Sequence, residues 1–300
     1  MALNFKKASK SQAKLKMAIE GPAGHGKSYS SLLIARGIVG PNGKIAVLDT
    51  EAGSANKYAD LTPFDVVSID NYHPDNYIEF IDEATKAGYD AVILDSYSHS
   101  WMGKGGVLEV VDQAAKRSKS GNSFAAWKEG TPVHDRLVEK ILQSRVHVIA
   151  TMRQKTEYVI EDVNGRKQPR KIGMGAVQRE GAEFIFDIVG EFIGTAEMVI
   201  TKTRYSPLAD KVITKPGIAL GQELQSWLSD GVPAIQASPS VSEVGLMSLS
   251  SAELAESASL DELKSIWVRV MALHSTGVIT SDIYSALADV KNTRKAELGG

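Results

Sequence analysis

Short apolar runs alternate with segments whose apolar residues recur every three or four positions over the first half of the chain. Strands are predicted by the apolar runs at residues 15–19, 44–49, 64–69, 89–95 and 146–151. Helices are predicted over residues 29–36, 75–87 and 131–143. The last of these should begin at Thr131, the cap, with Pro132 in the first helical position. This alternation of strands and helices predicts an α/β fold with a mostly parallel central sheet.

The pattern changes after residue 151. Residues 157–172 predict either a hairpin or a flexible loop, because Asn164-Gly165 is a hairpin turn signal. Antiparallel strands are predicted over residues 184–193 and 197–203, and a short helix over residues 222–228. Helices are also predicted over residues 260–273 and from about 281 to 295.

These patterns divide the chain into four parts. We expect a basic N-terminal arm over residues 1–14, a main α/β domain over 15–230, a linker rich in Ser, Pro and Ala over 231–250, and a small all-α C-terminal module over 251–300.

The composition narrows the functional classes. The 300 residues are 43% hydrophobic and carry a formal charge of −2, so a nucleic-acid surface would have to be local. Cysteine is absent, which excludes disulfides and thiolate metal sites. The sequence has no apolar run of about 18 residues, and its basic start lacks the apolar core of a signal peptide. We therefore expect no membrane span and a cytoplasmic protein.

A phosphate-binding motif lies between the first predicted strand and helix. The stretch EGPAGHGKSYSSLL contains the spacing G-x-x-x-x-G-K-S, the pattern of a P-loop. Glycines let the backbone N–H groups surround a phosphate, Lys27 reaches the β- and γ-phosphates of ATP, and the Ser28 hydroxyl ligates Mg²⁺. The residues expected to hold the nucleotide are Gly21, Pro22, Ala23, Gly24, His25, Gly26, Lys27, Ser28 and Tyr29.

Two further carboxylates follow predicted strands. Asp95 ends the apolar run YDAVILD, as a Walker B acid does, and is the second expected Mg²⁺ ligand beside Ser28. Glu51 follows the adjacent strand at the carboxyl edge of the sheet, where ligands of α/β proteins bind. Glu51 is therefore the candidate general base for water attack on the γ-phosphate, and Asp49 is its competitor.

These motifs resemble those of the RecA-like recombinase ATPases, over about residues 15 to 225. Asp49-Thr50-Glu51 followed by Tyr58-Ala59 has the family's spacing, and the strand segments VILDSYSHSW and VIATMRQK, the return segment QREGAEFIFDIVGEF and ITKTRYSPLAD resemble its later segments. The resemblance implies a RecA-like P-loop NTPase core and packing of Tyr58 on adenine. It also implies a polar sensor near Thr151, and Lys202 and Arg204 as catalytic cations that reach a neighbouring subunit's ATP. The bacteriophage members of this class, including single-strand annealing proteins, are the most similar.

A basic segment follows the strand that ends near Thr151. Its glycines suggest mobility, and its cations suit a phosphate backbone. The residues expected to contact DNA are Arg153, Lys155, Arg166, Lys167, Arg170, Lys171 and Arg179. The alternative is a solvated surface hairpin. A second basic patch at 116–122 is either another DNA contact or a helix end whose cations complement the helix dipole.

The function expected from these features is ATP-dependent binding of single-stranded DNA, for annealing or strand pairing in phage recombination. The expected partners are single-stranded DNA, other copies of the chain in a ring or filament, and a protein recruited by the C-terminal module. The alternative is a phage ATPase switch or motor that assembles on a replication or packaging protein. Phe5-Lys6-Lys7-Ala8 resembles a peptide that docks recombinase subunits, or else belongs to a disordered basic arm. If phage-encoded, the protein would act in the host cytoplasm.

Overall fold

The structure is a computed structural model that describes residues 13–117, 123–163, 166–230, 253–275 and 281–298. The chain divides into two compact units, Met1–Val232 and Pro233–Gly300. The Phe5–Ala8 motif, most of the predicted N-terminal arm and the whole predicted linker lie outside the described residues. In the described part, no helix is both long and apolar enough to cross a membrane.

The first unit is built on a mostly parallel sheet. Its strands are β1 (Lys16–Gly21), β2 (Ile45–Asp49), β3 (Asp65–Ser68), β4 (Ala91–Asp95), β5 (His147–Val163), β6 (Arg166–Ala176), β7 (Ile188–Gly194), β8 (Glu197–Thr203) and β9 (Val212–Thr214). The order is β3-β2-β4-β5-β1-β7-β8-β9, and β6 pairs with β5 outside this path. Neighbours from β3 to β7 along this order are parallel, whereas β6, β8 and β9 pair antiparallel. The predicted α/β class is confirmed.

Helices cover both faces of this sheet. The helices of the first unit are α1 (Lys27–Val39), α2 (Pro74–Lys86), α3 (Ser98–Met102), α4 (Val107–Arg117), α5 (Ser123–Gln143) and α6 (Ile218–Ser229). Side chains on β1 alternate between two core layers, since successive residues of a strand point to opposite faces. Met17 and Ile19 pack with the cluster that contains α1 and α6, and Ala18 packs with the cluster that contains α2 and α5. This arrangement fixes α1, and hence the P-loop, against one face of the sheet.

The start predicted at Thr131 for the helix over residues 131–143 is wrong. One helix, α5, begins eight residues before Thr131, at Ser123, and Pro132 lies inside it. The segment before the proline is helical because Ala126 and Trp127 pack with the apolar face of α4. A Thr-Pro pair is a local preference for a helix start, and this burial overrides it.

The strand predicted over residues 184–193 also begins later than expected. Residues Ala182–Ile185 form a 3-10 helix, and β7 starts only at Ile188. Gly181 precedes the 3-10 helix with φ +83°, a left-handed turn that separates it from the segment before it. Phe184 is 72% exposed whereas Phe186 is fully buried, and apolar spacing alone cannot distinguish this arrangement from a strand.

Residues 157–172, predicted as a hairpin or a flexible loop, form a hairpin. β5 continues well past Thr151 and pairs antiparallel with β6, from Gln154 opposite Ala176 to Val163 opposite Arg166. The predicted Asn-Gly turn itself lies outside the described residues.

The second unit is helical. It contains α7 (Leu260–Ser275) and α8 (Ser281–Glu297), close to the predicted bounds. Its small core contains Leu263, Ile266 and Val270 of α7 and Leu287 of α8. Trp267 packs against Tyr284, with ring centroids 5.2 Å apart.

Candidate nucleotide site

The P-loop sequence lies where β1 turns into α1. Gly24 and Gly26 have φ values of +80° and +97°, a left-handed backbone that side chains disfavour, so the turn needs glycine at both positions. A Cβ atom on Gly21 would lie 2.8 Å from Cβ of Phe192, so β7 packs tightly against the start of the loop. The turn is therefore fixed by backbone conformation and by packing.

The loop has the donors that a polyphosphate needs. Within the described part of the chain no side chain caps the start of α1, and its first turn has no acidic residue. The helix N-terminus therefore offers backbone N–H groups to an anion. Lys27 Nζ donates hydrogen bonds to the carbonyl oxygens of Gly21 (2.9 Å) and Pro22 (2.8 Å), and burial lowers its pKa. His25 Nδ1 is buried without a hydrogen-bond partner among the described residues, so it too can serve a ligand.

Ser28 and Asp95 lie together, as a Mg²⁺ site requires. Asp95, at the end of β4, is 5% exposed, and burial raises the pKa of its carboxyl. Hydrogen bonds from Ser28 and Thr151 oppose that rise, and the Thr151 hydroxyl donates to Asp95 Oδ1 at 2.5 Å. A hydroxyl and a carboxylate are oxygen ligands of the kind Mg²⁺ prefers alongside water and phosphate. Thr151, predicted as a sensor, is thus in contact with Asp95, the predicted Mg²⁺ ligand.

Asp49 and Glu51, the two candidate bases, have different environments. Asp49 is 1% exposed, and its two oxygens accept the backbone N–H groups of Glu51 (2.6 Å) and Ala55 (3.0 Å). Asp49 therefore shapes the segment after β2. The Glu51 side chain is 32% exposed and reaches the edge of the site.

The Glu51 carboxylate forms an ion pair with Arg153 of β5. Its Oε1 accepts hydrogen bonds from Arg153 Nη2 (2.7 Å) and Nε (3.1 Å). The pairing register places Arg153 beside Gly21, at the start of the P-loop. Arg153, predicted to contact DNA, therefore lies in the nucleotide site.

His99 is a residue of this site that sequence reasoning missed. The Thr50 hydroxyl accepts the Ser96 N–H (2.8 Å) and forms a second hydrogen bond, 2.6 Å long, with His99 Nδ1. Burial and then the charge of Arg153 lower the pKa of His99, which keeps the ring neutral. His99 carries no local sequence signal, because its partner lies 49 positions away.

Tyr29 and Tyr58 are brought together near the P-loop. Their ring centroids are 6.4 Å apart in an edge-to-face arrangement. Tyr58 is half-buried against the core that contains α1, and Tyr29 is 44% exposed. This pair presents aromatic surface suited to a nucleotide base.

Lys202 and Arg204 lie away from their own P-loop. Lys202 is opposite Val189 of β7, which is opposite Ala18, three residues before the end of β1. Lys202 Nζ donates to the carbonyl oxygens of Phe186 (2.6 Å) and Glu183 (2.8 Å). Arg204, just beyond β8, pairs with Asp187 at 3.4 Å.

The predicted DNA-contacting residues separate into three groups. Arg153 is held at Glu51, and Arg179 pairs with Asp135 at 3.1 Å on α5. Lys155 is exposed on β5. The remaining four lie on β6, opposite residues 158–163 of β5: Arg166, Lys167, Arg170 and Lys171.

The second predicted basic patch lies partly outside the described residues, at 118–122. Its two described cations pair with acids: Lys116 with Asp112 and Arg117 with Glu129, both at 2.6 Å.

A strand–turn–helix with Lys27, Ser28 and Asp95 at the edge of a mostly parallel sheet defines a P-loop NTPase. A sequence model described as "AAA domain" matches residues 13–206, and the chain belongs to this family. The first unit is therefore an AAA-type ATPase domain.

Two further comparisons add no assignment. No curated protein matches the chain. Among solved structures, the chain is similar to one titled "Structural and biochemical analysis of a prototypical ATPase from the type III secretion system of pathogenic bacteria". The identity is 11% and the TM-score 0.37, over 97% of this chain and 89% of that one. So low a TM-score supports no argument about function.

Proposed function

We propose that this protein is a Mg²⁺-dependent ATPase that binds single-stranded DNA and promotes annealing or strand pairing in phage recombination. One observation carries the proposal. The strand β5 brings Thr151 and Arg153 to the P-loop edge, and the same strand continues into a hairpin with four cations on its return strand. The strand that reaches the nucleotide site is thus the one that pairs with β6, where these four cations lie.

The chain's own residues support ATP hydrolysis. Backbone N–H groups at the start of α1 and Lys27 bind the β- and γ-phosphates. Ser28 and Asp95 would hold Mg²⁺, which neutralises phosphate charge when bound. Glu51 accepts a proton from the attacking water while the water oxygen forms a bond to the γ-phosphorus. The bond to the β–γ bridging oxygen breaks, and ADP leaves with that electron pair.

The DNA-binding part of the proposal concerns the hairpin. Its β6 strand carries Arg166, Lys167, Arg170 and Lys171, and Lys155 is exposed near its base. Lys and Arg that neutralise phosphates provide binding without sequence readout. The resemblance to RecA-like phage recombinases favours DNA as the partner of this surface.

Assembly and the other parts of the chain complete the proposal. We place the ATPase core at residues 15–230 and a partner-recruiting module at residues 251–300. We expect copies of the chain to form a ring or filament, with Lys202 and Arg204 at the boundary between copies. The expected site of action is the cytoplasm, that of the host if the protein is phage-encoded.

The deciding experiment measures steady-state ATP turnover with and without single-stranded DNA, together with annealing of complementary strands. Turnover should depend on Lys27 and rise with DNA, and annealing should depend on ATP. Lys27→Ala should abolish nucleotide binding, and the exposed Lys44→Ala should leave it intact. Turnover that depends on Lys27 but is the same with and without single-stranded DNA would reject the recombination role. It would favour an ATPase switch that assembles on a protein partner. No turnover under any condition would reject the ATPase.

A further inference from the structure

We propose that Arg153 is a γ-phosphate contact within its own subunit. It pairs with the Glu51 carboxylate and exchanges this partner for the γ-phosphate when ATP binds. This inference rests on the proposed ATPase function and assigns Arg153 a role other than DNA contact.

The backbone at Arg153 is fixed on both sides. Its N–H donates to the Ser98 hydroxyl oxygen at 2.9 Å, and its carbonyl accepts the Val177 N–H at 2.7 Å. The sheet register places it next to Gly21, where the P-loop begins. The guanidinium therefore starts from a defined point at the phosphate-binding edge.

The side chain lies close to Glu51 and Lys27, the two groups expected to face a γ-phosphate. It contacts Glu51, the candidate base, and its charge is one of those that lower the pKa of Lys27. Lys27 is the residue that a P-loop directs to the β- and γ-phosphates. Arg153 is thus close to both groups between which the γ-phosphate and the attacking water must fit.

The ion pair with Glu51 is of a kind that can be exchanged. Both donors, Nε and Nη2, converge on the single oxygen Oε1, and the side chains are 47% and 32% exposed. Such a half-exposed pair is weakened by solvent. A γ-phosphate offers three oxygens and more negative charge, and the planar guanidinium matches its geometry. ATP therefore competes effectively for Arg153.

The exchange links nucleotide state to the candidate base. While Arg153 donates two hydrogen bonds to Oε1 of Glu51, both lone pairs of that oxygen are occupied and it cannot accept a hydrogen bond from the attacking water. Binding of ATP releases it, whereas ADP, which lacks the γ-phosphate, leaves the pair intact. Arg153 therefore makes the site prefer ATP over ADP.

The test compares affinities for ADP and for the non-hydrolysable β,γ-imido analogue of ATP, by competition against a fluorescent ADP in Mg²⁺ buffer. The full-length chain is used, and folding is checked by thermal melting. Arg153→Gln should lower the affinity for the analogue by about tenfold to a hundredfold, the cost of losing a hydrogen bond to a charged group. The affinity for ADP should change by less than about twofold. Arg153→Lys keeps the charge without the fork, so its loss should be smaller but in the same direction.

The matched control is Arg145→Gln, an exposed arginine just before β5, which should leave both affinities unchanged. If the ratio of the two affinities stays at the wild-type value in Arg153→Gln, the inference is overturned. Should Arg153→Gln not fold, an unchanged ratio in Arg153→Lys overturns it. If Lys27→Ala abolishes nucleotide binding but substitution of Arg153 leaves the ratio of the analogue and ADP affinities unchanged, this inference alone is rejected. Wild-type protein that binds neither nucleotide rejects the proposed function as well.

Discussion

Asp49 and Asp95 lie directly opposite each other, at the carboxyl ends of the adjacent parallel strands β2 and β4. Their partners differ in kind. Asp49 accepts two backbone N–H groups, which hold the segment after β2. Asp95 accepts hydrogen bonds from the hydroxyl groups of Ser28 and Thr151, and these hydroxyl groups can rotate toward a metal or a phosphate. One acid therefore maintains structure, and the other remains available for a ligand.

Substitutions of Asp49 and Glu51, which are two residues apart in the chain, should have separable effects. Glu51→Gln should retain nucleotide binding and lower kcat by about 10²- to 10⁴-fold, because an amide cannot accept the proton of water. Asp49→Asn should lower the free energy of unfolding by about 1–3 kcal/mol, since one of its two bonded oxygens becomes an amide nitrogen. Urea unfolding and steady-state turnover distinguish the two. A Glu51→Gln protein with wild-type kcat would shift the role of base to another group.

Asp95→Asn should stabilise the fold and abolish Mg²⁺-dependent nucleotide binding. Burial raises the pKa of Asp95, so folding disfavours its charged form, and a neutral amide removes that cost. The melting temperature in metal-free buffer should therefore be higher than that of the wild type. The control is Asp60→Asn, at an exposed aspartate. A lower melting temperature for Asp95→Asn would mean that the carboxylate is needed for the fold itself.

Glu20 should make the stability of the protein depend on pH. It lies opposite Glu191, and burial, Glu191 and Glu183 raise its pKa from 4.5 to about 7. Because the folded-state pKa is the higher one, the stabilisation is complete below pH 4.5 and is lost as the pH rises through about 7. Between about pH 5 and pH 8 the wild type should lose up to about 3 kcal/mol relative to Glu20→Gln.

Urea midpoints at the two pH values measure this effect. The control is Glu197→Gln, an exposed glutamate on β8, which should follow the wild type. Parallel pH profiles for the wild type and Glu20→Gln would contradict the prediction.

Neutralising the β6 cations should weaken DNA binding. Replacing all four (Arg166, Lys167, Arg170 and Lys171) by Gln should lower affinity for single-stranded DNA and reduce the salt slope by up to about 3, at about 0.7 per lost phosphate contact. The control replaces four exposed lysines elsewhere: Lys44, Lys57, Lys128 and Lys211. Fluorescence anisotropy over a range of salt concentrations measures both quantities. Equal slopes in the two quadruple variants would show that the hairpin is not the DNA track.

Lys202 and Arg204 should act on a neighbouring subunit's ATP. Mixing two inactive proteins, Lys27→Ala and the double variant Lys202→Ala/Arg204→Ala, should restore part of the ATPase, because some junctions then join an intact P-loop to intact cations. Because Lys202 donates hydrogen bonds to the carbonyl oxygens of Phe186 and Glu183, the free energy of unfolding is a second quantity to measure. If these cations only hold β7 and the adjoining 3-10 helix, the double variant should lower the free energy of unfolding and no mixing ratio should restore turnover.

The sequence by itself determined the features that depend on near neighbours along the chain. The P-loop spacing is local, since about eight consecutive residues form the whole phosphate cradle. The buried strands ending at Asp49 and Asp95 were equally clear, because parallel strands covered on both faces appear as continuous apolar runs. The same reasoning predicted the β5–β6 hairpin as one of two options, but not the length of its strands.

Only the tertiary structure decided what depends on contacts between distant segments. The sequence places Arg153 in a basic segment, yet its partner Glu51 lies 102 positions away, in the segment after β2. The sequence favours Glu51 as the base and leaves Asp49 as its competitor; the backbone N–H groups bound by Asp49 decide between them. The start of α5 depended on packing against α4, which no Thr-Pro signal reveals. In each case the deciding free energy comes from burial or a hydrogen bond across the fold, and local sequence carries no record of it.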